Sequence, residues 1–439
     1  MTAPGIASKG GRYARLGRNV ALVMLVIIAL TYVINAMDRI VFGILLKNVI
    51  TEYHFTLAAG GFESTVYTLG LGVAGVPTGL LLDRIGRKYT AVLGIGLYSI
   101  FTILTVVSIG FYDMAVYRAV SGVGEGMQNA AIFTAAGAYY YRHRGLALGV
   151  LNVAYGLGSF IGPRFGAALL GNSGDWRVPM YVFGGIGIVS ALAVLFFVSR
   201  RFTEQLGEAG TTQQELASQA YMPESFLNRN SGLVALAAVF GGLAGYGYLG
   251  LYPTFLQTQL HFSLADAGAA ASFFGLGAFM GLVCGYLADR VWVSQKWLHV
   301  ASLVALALIG YAIFNVVTTP ILQDLFSFLE GAIASGFLYI NGYSLIQRSV
   351  RSTSAGRASG LYVTCVYLPA GASGYLFGVL VTHFGWQMGA TVIQTLLLAI
   401  PIVGMLFYTE KQILGPRAPG GQAEDVSGKP VEAEGKALT

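Results

Sequence analysis

The stretch Gly79-Leu80-Leu81-Leu82-Asp83-Arg84-Ile85-Gly86-Arg87-Lys88 ends one apolar run and stands directly before the next. A weaker copy, Gly285-Tyr286-Leu287-Ala288-Asp289-Arg290, follows at an offset of 206 residues, again after an apolar run. The echo extends further: Gly145 and Gly149 recur as Gly356 and Gly360 at an offset of 211, and Trp176 as Trp386 at 210. The chain is internally duplicated.

Composition places the duplicated unit in a membrane. With 55% hydrophobic residues, 10% charged and a mean hydropathy of +0.66, a soluble fold would have to hide more apolar surface than its volume allows. Apolar runs of roughly 20 residues, the length that crosses a bilayer core of about 30 Å, recur about twelve times. They fall near 20–46, 62–82, 89–110, 113–138, 145–170, 177–199, 231–257, 266–288, 298–318, 321–347, 356–382 and 385–408.

The expected fold class is therefore all-α integral membrane, with twelve transmembrane helices in two six-helix bundles related by a pseudo-two-fold axis. The expected division is an N-terminal segment 1–19, a bundle 20–199, a linker 200–230, a second bundle 231–410 and a tail 411–439. The linker is polar, with Glu204, Glu208, Gln213, Gln214 and Glu215. The tail, with Gly415-Pro416 and Pro419-Gly420-Gly421, lacks apolar periodicity and reads as disordered.

A formal charge of +6 would suggest nucleic acid if the cations clustered on a soluble face, but they follow the spans. Lys9, Arg12, Arg15 and Arg18 precede the first run, and Arg84, Arg87, Lys88, Arg142, Arg144, Arg200, Arg201, Arg290, Lys296, Arg348, Arg351 and Arg357 occupy alternate loops. The opposite loops hold little beyond Arg177 and Lys47. The positive-inside rule then sets both termini in the cytoplasm. The first apolar run is too long for a secretory signal and continues into Asp38-Arg39, so it reads as a span. Cys284 and Cys365 both lie within runs, which argues against a structural disulfide.

Sixty glycines in such a chain serve close helix approach. Gly70-x-Gly72-x-x-Gly75 and Gly122-x-Gly124-x-Gly126 look like dinucleotide loops, yet a phosphate cradle needs a strand before it and these lie inside spans. No nucleophile, metal or nucleotide constellation shares a face, so neither an enzyme nor a cofactor is expected.

The loop stretch resembles G-x-L-A-D-R-x-G-R-K, the signature by which major facilitator transporters are recognised, and the resemblance covers nearly the whole chain. It implies a gating role for Gly79, Asp83, Arg84, Gly86, Arg87 and Lys88, with Asp289 and Arg290 as the degenerate second copy. A carboxylate at the end of the second span can cap a helix or pair with an arginine when that side is shut. The plainer reading is that the cations only fix topology.

An ionisable residue in mid-span costs about 2.5–3.5 kcal/mol on insertion scales and needs a partner or a task. The first half carries Asp38, Arg39, Arg118, Glu125 and Arg164, and the second half Glu330. Arg118, Gly122, Glu125 and Asn129 share one helical face, as do Tyr32, Asn35 and Arg39, with Asp38 turned away by about 100°. Arg39 and Arg118 come out at one level in the outer half of the bilayer, with Glu125 about 10 Å deeper. Two guanidiniums lining a cavity suit a carboxylate or phosphate, and a carboxylate below them suits a proton.

Asn35-Ala36-Met37-Asp38-Arg39, Arg118-x-x-x-Gly122-x-x-Glu125, Arg144-Gly145-x-Ala147-x-Gly149 and Gly158-x-x-x-Gly162-Pro163 resemble the anion:cation symporter family within that superfamily. That resemblance implies an organic anion on Arg39 and Arg118 and protons on Asp38 and Glu125. Ala36, the missing proline near Gln128-Asn129, Tyr139-Tyr140-Tyr141 and Arg164 depart from the family pattern. Each charge also has a structural reading, as glue between helices, and Glu330 reads as a rim residue. Tyr32, Asn35 and Tyr155 extend the expected substrate site in the first half. Tyr248 and Tyr252, one turn apart, are its expected contribution from the second, amid Tyr246, Tyr339, Tyr343, Tyr362 and Tyr367.

The function expected is proton-coupled symport of an organic anion by alternating access in a bacterial inner membrane. Its partners would be the anion, protons and the bilayer, without nucleic acid or metal, and the chain would act as a monomer. Gly158-x-x-x-Gly162-Pro163-x-x-Gly166 resembles an antiporter motif and keeps proton-driven efflux as the alternative. A membrane sensor that binds a solute without moving it is the rival from another class.

Overall fold

The computed structural model describes residues 16–140, 144–204, 223, 225–281, 294–351 and 354–409. Among them the structure is helical and without strands, and several helices are long and apolar enough to cross a bilayer. The first half comprises α1 (Arg18–Tyr53), α2 (Leu57–Thr65), α3 (Tyr67–Ile85), α4 (Arg87–Val106), α5 (Phe111–Tyr139), α6 (Arg144–Ser173), α7 (Arg177–Phe197) and a short α8 (Arg200–Thr203). The second half comprises α9 (Arg229–Thr258), α10 (Leu264–Ala278), α11 (Gln295–Asn315), α12 (Pro320–Gly331), α13 (Ile340–Arg348), α14 (Ala355–Ala370), α15 (Ser373–Ala390) and α16 (Ala399–Leu406).

Several spans are composite. The second is α2 followed by α3, the tenth is α12 and α13 joined by a π-helical stretch, Ala332–Tyr339, and the eleventh is α14 running into α15. A break at Gly385, with φ 78° and ψ 168°, turns the chain from the eleventh span into the twelfth. Each half thus supplies six crossings among the described residues. The duplication survives at the turns: Gly174, with φ 72°, stands just before Trp176, as Gly385 stands before Trp386.

Glycines set how closely the halves approach. A Cβ on Gly61 or Gly374 would run into the other's backbone, and one on Gly378 would lie 2.7 Å from the Leu57 carbonyl. Thr65 reinforces this crossing of α2 and α15, donating to the Gly371 carbonyl at 3.0 Å and accepting from the Gly374 amide at 3.2 Å. The pairing of α6 with α10 repeats the device, since a Cβ on Gly268 would lie 2.8 Å from Ala167. These seals lie at the end of the bundle opposite the loop motif. Toward the motif end, Gly75 and Gly79 on α3 and Gly360 on α14 face open space. The two halves are therefore closed together at one end and apart at these positions near the other.

Gly374→Val tests the seal. Overpacking at so tight a crossing costs about 1–3 kcal/mol, enough to shift closure roughly 5- to 150-fold. Spin labels at the far ends of α2 and α15 should report a widened separation together with slower transport. An unchanged separation would mean that the crossing yields to the added methyls.

At the motif end Gly86 takes φ 84° between α3 and α4, a left-handed conformation that a side chain resists. Glu204, at the end of α8, lies against it: its Oε1 accepts the Lys88 amide at 3.1 Å, capping the N-terminus of α4. Arg87 donates to the Thr203 carbonyl at 3.0 Å. Glu204, read from sequence only as part of a polar linker, is thus tied to the loop motif. Asp83 closes the last turn of α3 and Arg84 is exposed. The Asp83 side chain, Asp289, Arg290, most of the 200–230 linker and the 411–439 tail lie outside the described residues.

Candidate substrate site

Asp38, Arg39, Arg118 and Glu125 are all buried, and all four line one small cavity together with Tyr67, Thr102 and Ser121. A second small cavity shares Arg39 and Tyr67 and reaches Ser64, Thr65, Tyr246 and Gly250, so it bridges both halves.

Arg39 on α1 is held by α5. Its Nε donates to Glu125 Oε2 at 2.7 Å, with both side chains only 2% exposed. Asn35, one turn earlier on α1, accepts from Arg39 at 3.1 Å and donates to Gln128 at 3.0 Å, and Gln128 in turn donates to Thr31 at 3.2 Å. On α5 it is Gln128, the neighbour of Asn129, that makes the bonds to α1. Asp38 points to α4, where Thr102 donates to Oδ2 at 2.8 Å, and its Oδ1 has no partner. It is not neutralised by a direct arginine contact.

Arg118 is arranged differently. Its guanidinium lies over the Phe42 ring at 3.5 Å and donates to the carbonyls of Glu63 and Ser64. Those carbonyls are free because the chain breaks between α2 and α3, which removes the intrahelical partners they would otherwise have. No carboxylate stands within ion-pair distance of Arg118 among the described residues. Sequence spacing placed Arg39 and Arg118 at one level; the structure staggers them, Arg39 meeting Glu125 and Arg118 standing two turns further toward the sealed end. A guanidinium buried without a counter-ion is costly unless an anion completes it.

The tyrosines divide. Tyr155 lies beside Arg39 with its ring 5.7 Å from the guanidinium carbon, and Tyr32 packs on Tyr155 at 6.1 Å. Tyr248 and Tyr252 were expected at the site, but the structure buries both in packing. They stack on each other at 4.4 Å, and their hydroxyls donate to Ser327 at 2.8 Å and Gln323 at 2.9 Å on α12. Tyr246 is the α9 tyrosine that lines the cavity shared with Arg39, flanked by Tyr67 at 6.3 Å and Tyr367 at 5.7 Å.

Two further charges differ from expectation or stand apart. Glu330 is fully buried rather than at a rim, with neither carboxylate oxygen bonded. Arg164 stacks between Phe160 at 4.4 Å and Phe273 at 5.0 Å, away from the lining of either cavity. Sequence reading missed Thr102, Gln128, Tyr67 and Phe42. Their signal was weak, since each is a single small polar or aromatic residue in an apolar run.

Two six-span halves, sealed together at one end around a buried cluster of opposite charges, define a membrane transporter built for alternating access rather than an enzyme. The chain belongs to the Major Facilitator Superfamily, whose description it matches over residues 28–374. It is 24% identical to the hexuronate transporter of Bacillus subtilis (strain 168) over 428 residues, covering 92% of this chain and 98% of that one. Identity to the cis,cis-muconate transport protein of Acinetobacter baylyi is 22% over 417 residues, 91% and 97% of the two chains. An MFS-type efflux pump of Mycolicibacterium smegmatis is 25% identical over 421 residues, 93% and 96%. A solved bacterial homolog of the human lysosomal transporter Spinster, inward-facing and occupied, superposes with a TM-score of 0.72 at 17% identity, covering 91% of this chain and all of that one.

Proposed function

We propose that this protein carries a small organic anion, a carboxylate such as a sugar acid or an aromatic acid, into a bacterial cell together with protons. Both termini are cytoplasmic on this reading and the sealed end faces outward. The observation that carries it is Arg118, a buried guanidinium with no carboxylate within ion-pair distance among the described residues, at a cavity that Arg39 shares. Relatives named for hexuronate and muconate transport support an acid as cargo.

The paired charges suggest the coupling. Arg39 is occupied by Glu125, so an incoming carboxylate competes with that contact. A proton on Glu125 frees the guanidinium, and the substrate then becomes its counter-ion; proton and anion each favour the other's binding. Asp38, bonded through one oxygen only, assists as a second acceptor in the same cavity. Efflux of neutral or cationic solutes would leave Arg118 only its bonds to the Glu63 and Ser64 carbonyls.

Proteoliposome uptake of labelled sugar acids, aromatic acids, dicarboxylates and monocarboxylates under an imposed proton gradient tests the function, with counterflow separating a carrier from a sensor. Gradient-driven accumulation of neutral solutes alone would overturn it. The gate carries its own prediction. Asp83→Asn should leave substrate affinity unchanged while slowing net transport, and loss of binding in a folded Asp83→Asn protein would remove the motif from the gate.

A further inference from the structure

Glu63, at the end of α2, is wholly buried, and neither of its carboxylate oxygens has a hydrogen-bond partner. It is not among the residues lining the charged cavity. Its own carbonyl receives Arg118, and the charged side chains that act on it are Arg118 and Asp113, both on α5. The neighbouring Phe62 packs on Phe111, the first residue of α5, at 5.7 Å, which sets Glu63 between Arg118 and the sealed end. Gly61, two residues away, forms the crossing with Gly374 that closes that end.

From this placement we infer that Glu63 binds a further transported proton, beyond those on Glu125 and Asp38, taken up from the outer side. A carboxylate enclosed without a hydrogen bond is tolerated far better as a neutral acid than as an ion. Parting of the α2–α15 crossing opens Glu63 to outside water, where it takes a proton, and closing traps that proton. While an anion occupies Arg118, the guanidinium's field on Glu63 is offset and the proton stays. Once the anion leaves toward the motif end, the charge of Arg118 is no longer offset and favours the ionised form, and the proton passes to water that takes the anion's place beside Arg118. Only an O–H bond is broken and remade. Glu63 thereby links the outer seal to occupancy of the anion site. The inference rests on the proton-coupled reading above.

The test is the accumulation ratio in proteoliposomes under one unit of pH gradient, where each coupled proton multiplies the ratio about tenfold. Glu63→Gln, which mimics the neutral acid, should keep substrate binding and counterflow and still accumulate, but to a ratio about tenfold below that of the unmodified protein. Glu63→Asp should recover it. An unchanged ratio in Glu63→Gln overturns the inference and leaves the coupled reading intact, whereas an unmodified protein that fails to accumulate overturns the coupled reading first. Should Glu63→Gln not assemble, an apolar carbodiimide, which adds to protonated carboxyls, decides on the unmodified chain. Labelling of Glu63 that falls as pH rises supports the proton site, and a Glu63 never labelled at any pH overturns it.

Discussion

Replacing Arg118 with Gln should weaken anion binding by about 1.5–3 kcal/mol, or roughly ten- to over a hundredfold, because one charged hydrogen-bond partner of the substrate is lost. Isothermal titration or a ligand-induced shift in melting temperature measures it. The same change withdraws donors from the Glu63 and Ser64 carbonyls. Some loss of stability should therefore accompany the loss of affinity, about 1–3 kcal/mol for buried acceptors left unbonded. Arg118→Lys separates the two effects. It keeps a positive charge for the anion but cannot reach both carbonyls in the same planar fork, so it should retain more affinity than Gln while remaining less stable than the parent. Affinity that survives Arg118→Gln would exclude this guanidinium from the substrate site.

The second large effect is expected from Glu125→Gln. The substitution removes the carboxylate that occupies Arg39 and imitates its protonated state permanently. Substrate binding should persist or tighten, and counterflow should continue, because neither requires a change of protonation. Net accumulation driven by a proton gradient should fall to the level allowed by the remaining carboxylates. Full accumulation by Glu125→Gln would remove Glu125 from coupling. Asp38→Asn is the natural companion, with a smaller effect anticipated because Thr102, not an arginine, is the group bonded to Asp38.

The architecture was readable from sequence because its determinants are long and redundant. An apolar run of twenty residues states its environment many times over, and a repeated Asp-Arg pair after such a run marks the same turn in each half without any tertiary information. The charged quartet was readable for a related reason: four ionisable residues in apolar surroundings have few places to go. What could not be read was rotation. In α9 nearly every residue is apolar or aromatic, so nothing in the sequence distinguishes the face with Tyr246 from the face with Tyr248 and Tyr252. The packing of Phe274 and Phe314 from other helices decides it. The choice between Gln128 and Asn129 was hidden likewise, since two adjacent amides differ only by the phase of a helix whose axis is set by its neighbours. Glu63 escaped notice because it stands at the very start of the run 62–82, where an ionisable residue reads as the end of a span rather than as a charge within it.

The contact between Gly61 and Gly374 has a bearing on speed. Two interlocked aromatic surfaces can part only after side chains have left their wells, each rotation adding its own barrier. Bare backbone against bare backbone has no such teeth. Separation there needs a rigid translation of α2 from α15 and the release of the few bonds held by Thr65, so this crossing is a smooth seam that can part and close again without any side chain having to change its rotamer first.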